Sequence, residues 1–159
     1  MIRVGWGYDV HAFGGVGPLL LAGRIIDPDR GLVGTSDADV VAHAVSDALL
    51  GAAALGDLGL LFPSSDSKWS GADSMVLLAD VFKRFAGAGL AIAHLDVTVI
   101  AERVRIAPHR TAMRERLAAV LETGIESVSV KATSTDGLGF IGRDEGVAAV
   151  AVVTASVVP

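Results

Sequence analysis

Leu95, Val97, Val99 and Ala101 alternate with Asp96, Thr98 and Ile100. That is the period of a strand with two faces. Earlier in the chain the period changes. Val40, Ala44 and Ala48 recur at helical spacing, with Leu49 and Ala52 beside them. A chain that switches between these periods must pack helices on a sheet. Strands are expected over residues 2–13, Leu19–Ala22, Ile92–Ala101, Val128–Thr133 and Val147–Val157. Helices are expected over about Asp39–Ala54, with Ser36 or Asp37 near the N-cap, Asp73–Gly87, and His109–Leu121 after Pro108. Residues 28–38 and 56–72, rich in Gly, Pro and Ser, read as loops. The order implies an α/β chain of the mixed α+β kind, a single domain over residues 1–159 with a mixed β-sheet packed against helices. It leaves the strand order open.

The chain has no cysteine, so a disulfide framework and a thiolate zinc site are both excluded. The formal net charge is −5, with no run of Lys and Arg. Nothing therefore points to nucleic acid. Phosphates would have to be held by metals, backbone N–H groups and a few placed cations. Apolar residues make up 52% of the chain. No apolar stretch approaches the roughly 20 residues that span a bilayer, so no membrane segment is expected and apolar subunit faces account better for the excess. The N-terminus reaches Asp9 and His11 without a basic-then-apolar signal pattern, which makes the cytoplasm the expected location.

In a strand, residues two apart share a face, so Asp9 and His11 can aim a carboxylate and an imidazole at one point. The first expected helix carries His43, with Asp39 one turn before it and Asp47 one turn after. Three N/O ligands with an open fourth position is the arrangement of a catalytic zinc. Taken alone, Asp-x-His is a common pair, and His43 reads more simply as a core histidine beside Asp39 or Asp47. Spacing does not bring the three together.

Wider blocks do. Gly7-Tyr8-Asp9-Val10-His11-Ala12-Phe13, Ser36-Asp37-Ala38-Asp39-Val40 with His43-Ala44, and Asp47-Ala48-Leu49-Leu50-Gly51-Ala52 come first. Gly56-Asp57-Leu58-Gly59 with Phe62-Pro63, Gly71-Ala72-Asp73-Ser74, Asp96 to Glu102, Val130-Lys131-Ala132-Thr133 and Leu138-Gly139-Phe140 with Gly142-Arg143 and Glu145-Gly146 follow. In this order, and over nearly the whole chain, they resemble the 2-C-methyl-D-erythritol 2,4-cyclodiphosphate synthase family. The resemblance implies that Asp9, His11 and His43 bind zinc, and that the protein is a homotrimer with inter-subunit active sites. It implies a cytidylyl diphosphate substrate, 4-diphosphocytidyl-2-C-methyl-D-erythritol 2-phosphate, whose 2-phosphate attacks the β-phosphorus and expels CMP. Asp136 would hold magnesium, or manganese in its place, and Thr133, Ser134 and Thr135 would donate to the phosphates. Asp57, Leu58 and Gly59 match the sugar-contacting positions, with Phe62, Pro63, Ser64, Ser65 and Asp66 lying over the sugar. Ala101, Glu102, Arg103, Val104, Arg105, Ile106 and Ala107 match the cytidine segment. Phe140 and Arg143 match further positions near substrate, probing a neighbouring subunit's site. Val10, Thr35 and Ser36 complete the substrate set, with Thr35 and Ser134 in catalytic positions.

The chain also departs from the family. Thr35 stands where a His usually stabilises the transition state, and a Thr hydroxyl carries no positive charge, so slower turnover is expected. Ala38 replaces a Gly, which should stiffen the loop. Asp136 replaces a Glu one methylene longer, which should weaken magnesium binding or insert a water. Ser64 replaces an Asp, and Val104 a Pro. Val150 stands where some members carry a Glu that pairs with Arg143. An unpaired Arg143 would favour an anion such as a prenyl diphosphate in the trimer channel. Two other readings stay open at this level: a zinc-dependent phosphohydrolase, and a trimeric nucleotide-binding protein with impaired catalysis.

Overall fold

The computed structural model describes residues 1–158. Its main sheet has five strands: β1 (Ile2–Gly15), β4 (Gly31–Leu32), β5 (Leu90–Ile100), β6 (Val128–Thr133) and β7 (Gly146–Val157), in the order β4-β1-β7-β5-β6. A small ribbon pairs β2 (Leu19–Leu21) with β3 (Arg24–Asp27). All pairings in the main sheet are antiparallel except β5 with β6. That pair runs parallel because α4 (Arg110–Val120) carries the chain back between them, as a parallel connection requires. The remaining helices are α1 (Val40–Ala53), α2 (Leu58–Leu61), α3 (Ser74–Gly87) and α5 (Gly139–Gly142). The expected mixed α+β single domain is what forms.

The differences from the sequence reading lie in short elements. Residues 28–38 contain the two-residue β4, and 56–72 contain α2 and a 3₁₀ turn at Ser67–Trp69. Neither is long enough to show a period. The cap of α1 is also corrected. Asp39, not Ser36 or Asp37, is the N-cap, and its Oδ1 accepts from Val41 N at 3.1 Å and Ala42 N at 3.0 Å. The same carboxylate accepts from Ala22 N at 3.0 Å and Gly23 N at 2.7 Å, which ties the β2–β3 turn to the start of α1. Four N–H donors explain how an acidic side chain can be wholly buried here.

The helices α1, α3 and α4 cover one face of the sheet. Leu95, Val97 and Val99 of β5 face them and are fully buried, as the alternation implies. Behind them Leu49, Leu50, Leu78, Phe85, Met113 and Leu117 fill the core. Helix α1 is buried along most of its length because it lies between β1, β7 and α3. Its approach to β1 depends on two glycines. A Cβ on Gly5 would stand 1.8 Å from the Ala48 carbonyl oxygen, and one on Gly7 1.9 Å from that of Ala44. No side chain fits there, so glycine lets strand and helix backbones touch.

The other face of the sheet is not covered by α1, α3 or α4. Along β1 it presents Ile2, Val4, Trp6, Tyr8 and Val10, all exposed, with Trp6 and Tyr8 stacked at 6.2 Å between centroids. Asp96 and Lys131 form an ion pair further across this face. Among the described residues, no helix is long and apolar enough to cross a membrane.

Candidate metal centre

Asp9 and His11 project from β1 on the side of α1, and His43 projects from the first turns of α1 to meet them. Asp9 Oδ2 lies 2.9 Å from His43 Nδ1 and 3.2 Å from His11 Nε2. One ligand atom from each of the three residues lies within 4.8 Å of the others. The strand pair and the helical histidine do converge. His43 is thus partnered by Asp9, and the simpler pairing with Asp39 or Asp47 does not occur. Asp39 caps the helix, and Asp47 Oδ1 accepts from Leu58 N at 2.7 Å.

The hydrogen bonds around the two rings assign their protons. His11 Nδ1 donates to the Val33 carbonyl, which leaves a lone pair on Nε2. The Ser74 hydroxyl donates to Asp37 Oδ1, so its oxygen is free to accept from His43 Nε2–H at 2.9 Å. Ser36 Oγ lies 3.1 Å from the same nitrogen. His43 Nδ1 is then also a lone pair. Two ring lone pairs and one carboxylate therefore point at a common centre, and only positive charge between them relieves the repulsion. A proton on a ring is one source. A divalent cation with N/O preferences is the other, and three ligands with an open position fit zinc. Burial pushes the Asp9 carboxyl upward, but when a ring proton rather than a cation lies between them, its hydrogen bonds with His11 and His43 outweigh this and hold it well below the ordinary carboxylate range. The hydrogen bond to Asp9 raises the His11 pKa above its usual value, against the effect of burial.

A pocket opens beside this centre, lined by His11, Thr35, Ser36, His43, Leu58, Gly59, Phe62, Ser64, Trp69 and Leu77. Helix α2 is what places Leu58 and Gly59 there. Asp57 caps it, accepting from Leu60 N at 2.8 Å, and Asp47 holds its first N–H. Phe62 packs edge-on against Trp69, with ring centroids 4.8 Å apart. The Pro63 carbonyl accepts from Asp66 N at 3.0 Å, and Asp66 caps the following 3₁₀ turn, so Pro63, Ser64, Ser65 and Asp66 form a compact turn over the pocket rim. The Thr35 carbonyl accepts from Gly71 N at 2.8 Å. Ala38 has φ +58°, the left-handed region that suits glycine and costs an alanine about 1–2 kcal/mol. Val10 is the exception among the expected neighbours, since its side chain points to the bare face.

The remaining expected residues form a second cluster at the ends of β5 and β6. Ala101 N donates to the Thr133 carbonyl at 3.1 Å, and Thr135 N to Glu102 at 3.4 Å. Ser134 Oγ donates to Asp136 Oδ1 at 3.3 Å, and Thr135 Oγ1 to the Leu138 carbonyl at 2.7 Å. Asp136 is exposed with φ +52°. Ile106 is buried in the core and Ala101 nearly so, whereas Arg103, Arg105 and Ala107 are exposed. Arg103 and Arg30 approach Asp144 at 3.8 and 3.0 Å. Val104, between these, packs against the core edge. Phe140 lies on the adjoining α5. Arg143 is not left without a carboxylate when residue 150 is Val. Glu145, two residues on, accepts from its Nε at 2.8 Å and its Nη2 at 3.2 Å. Asp9 is three strands away from Ala132, across β7 and β5. At ~4.8 Å per strand this is about 14 Å, so one chain does not bring the end of β6 to the metal centre.

The sequence reading missed several contributors. Ser74 and Asp37 contact or back His43, and Trp69 and Leu77 line the pocket. Gly5 and Gly7 permit the approach of α1. Glycines two apart inside an expected strand are a signal of close backbone contact.

The YgbB family model matches residues 2–156. The 2-C-methyl-D-erythritol 2,4-cyclodiphosphate synthase of Vibrio vulnificus strain YJ016 is 52% identical over 153 residues, covering 96% of this chain and 97% of that protein. The synthase of the same name from Salinibacter ruber is 54% identical, covering 96% and 98%. Among solved structures, the bifunctional IspDF of Campylobacter jejuni superposes with a TM-score of 0.96 at 42% identity, over 99% of this chain and 42% of that longer one. IspF of Plasmodium falciparum, in a CDP complex, superposes with a TM-score of 0.87 at 27% identity, over 99% and 97%.

Proposed function

The chain belongs to the YgbB family and forms 2-C-methyl-D-erythritol 2,4-cyclodiphosphate in the non-mevalonate isoprenoid pathway; we propose that it does so at a centre where Asp9, His11 and His43 hold zinc. The observation that carries this is the convergence of two ring lone pairs and a carboxylate on one point. The substrate is 4-diphosphocytidyl-2-C-methyl-D-erythritol 2-phosphate. Its 2-phosphate attacks the β-phosphorus, the bond to the α-phosphate oxygen breaks, and CMP leaves.

No protein nucleophile is needed, so the chain's own work is positioning and charge neutralisation. Bound zinc would make the β-phosphorus more electrophilic, and magnesium, or manganese in its place, held by Asp136 would neutralise the α- and β-phosphates. Thr35 and Ser36, beside the two histidines, donate hydrogen bonds to phosphate oxygens. Asp57, Leu58 and Gly59 take the sugar hydroxyls, and residues 62–66 cover them and keep water out. The other set comprises Ala101–Ala107 for cytidine, Thr133–Asp136 for phosphates, and Phe140 with Arg143. Ala132, at the β6 end of this set, stands about 14 Å from Asp9 in one chain, which supports a homotrimer in which a neighbouring subunit completes each site. The exposed row Ile2, Val4, Trp6, Tyr8 and Val10 supplies an apolar face for that assembly. A prenyl diphosphate in the trimer channel would have to compete with Glu145 for Arg143. The cytoplasm is the proposed location.

The test is phosphorus NMR of the purified protein with the cytidylyl substrate, zinc and magnesium. Cyclic diphosphate and CMP are the expected products, and His43→Ala should lose both turnover and stoichiometric zinc. Linear hydrolysis products, or full zinc occupancy in His43→Ala, would overturn the assignment.

A further inference from the structure

We propose that Ser74, backed by Asp37, is a positioning residue that holds the His43 ring with Nδ1 turned toward the metal centre. The inference rests on the reading of Asp9, His11 and His43 as that centre. Ser74 is the first residue of α3 and is 1% exposed. It reaches His43 only because α1 and α3 pack together.

Each hydrogen bond in the chain has a forced direction. Asp37 can only accept. Its Oδ2 takes Ser74 N at 3.1 Å, and its Oδ1 takes Asp39 N at 3.2 Å together with the Ser74 hydroxyl. The carboxylate is thereby fixed from two elements, and the Ser74 proton is committed to it. The Ser74 oxygen then offers His43 only lone pairs, and the ring must bring N–H to it at 2.9 Å. A ring turned over by half a turn about its Cβ–Cγ bond would present carbon to the Ser74 oxygen and carbon to the metal centre. The arrangement is a carboxylate, hydroxyl and imidazole in series. It orients the ring and makes Nδ1 a better donor to a cation, as groups behind a metal ligand commonly do. Ser36 Oγ, 3.1 Å from the same Nε2 and 3.2 Å from Ser74 Oγ, is a second and weaker acceptor.

The full chain is titrated with zinc against a chromophoric chelator, and the His43 ring is followed by ¹⁵N NMR. Ser74→Ala should weaken zinc binding about tenfold, and Ser36→Ala with Ser74→Ala about a hundredfold. The metal-free circular dichroism spectrum should be unchanged. In the zinc-loaded wild type the proton should sit on Nε2 alone, and in metal-free Ser74→Ala the ring should report exchange between tautomers. Should Ser74→Ala not fold, Asp37→Asn leaves the hydroxyl in place and removes its charged acceptor, and a several-fold loss is expected. Zinc affinity within twofold of wild type in the variants that fold would overturn the positioning role while leaving the metal centre standing. A wild-type chain that takes up no stoichiometric zinc would sink the metal centre itself, and this inference with it.

Discussion

Gly7→Ala tests the contact on which the metal centre depends. The added Cβ would stand 1.9 Å from the Ala44 carbonyl oxygen and 2.8 Å from Ala48 N. Both are backbone atoms of α1 and cannot rotate aside. Ordinary contact begins at 3.4 Å, so strand and helix must separate by about 1.5 Å at this level. His43 immediately precedes Ala44 and would move with it. Zinc bonds to imidazole are ~2.0–2.1 Å long, and a shift of that size removes one of three ligands. Overpacking costs typically ~1–3 kcal/mol, and with backbone on both sides the upper end applies. For a chain of this length, about 3 kcal/mol lowers the unfolding midpoint by roughly 6–12 °C. The assay is thermal unfolding of the metal-free protein at one fixed concentration, paired with zinc titration. Gly51→Ala is the control, since its added Cβ meets nothing closer than 4.0 Å. It should be neutral or, through helix propensity, stabilising by up to ~1 kcal/mol. If Gly7→Ala stays within about 0.5 kcal/mol of wild type and binds zinc normally, the close approach does not position His43 and the reasoning fails.

Two further outcomes follow from the same geometry. Asp39→Ala removes the cap of α1 and strands four N–H donors; it should cost about 3 kcal/mol or more, read by denaturant unfolding. The raised His11 pKa has opposite consequences with and without metal. In the metal-free chain its stabilising contribution is complete below about pH 6.5 and is lost as pH rises through the folded-state value. Zinc competes with that proton, so zinc affinity should climb over the same interval, with proton release seen in calorimetry in two buffers of different ionisation enthalpy. A zinc affinity flat across neutral pH would contradict this.

What the residues disclosed before the structure was known has a physical pattern. The long elements were legible because β5 and α1 repeat their periods several times. β4 and α2 were not, because two and four residues cannot show a period. Asp9 and His11 were readable as a pair from strand geometry, while His43 needed the family blocks, since spacing says nothing about how a helix sits on a sheet. Ser74 escaped because its role depends on the packing of α1 on α3, which no local pattern encodes.

Strand β1 is double-booked: its odd positions serve the metal and α1, and its even positions form the bare apolar row. An insertion or deletion of one residue between Ile2 and Asp9 would exchange the two sets in a single step. Trp6 or Tyr8 would be driven into backbone, and the glycines would be turned out to solvent. Substitutions can be tried here one at a time, but changes in length cannot, so the spacing of this segment should be the least negotiable interval in the chain.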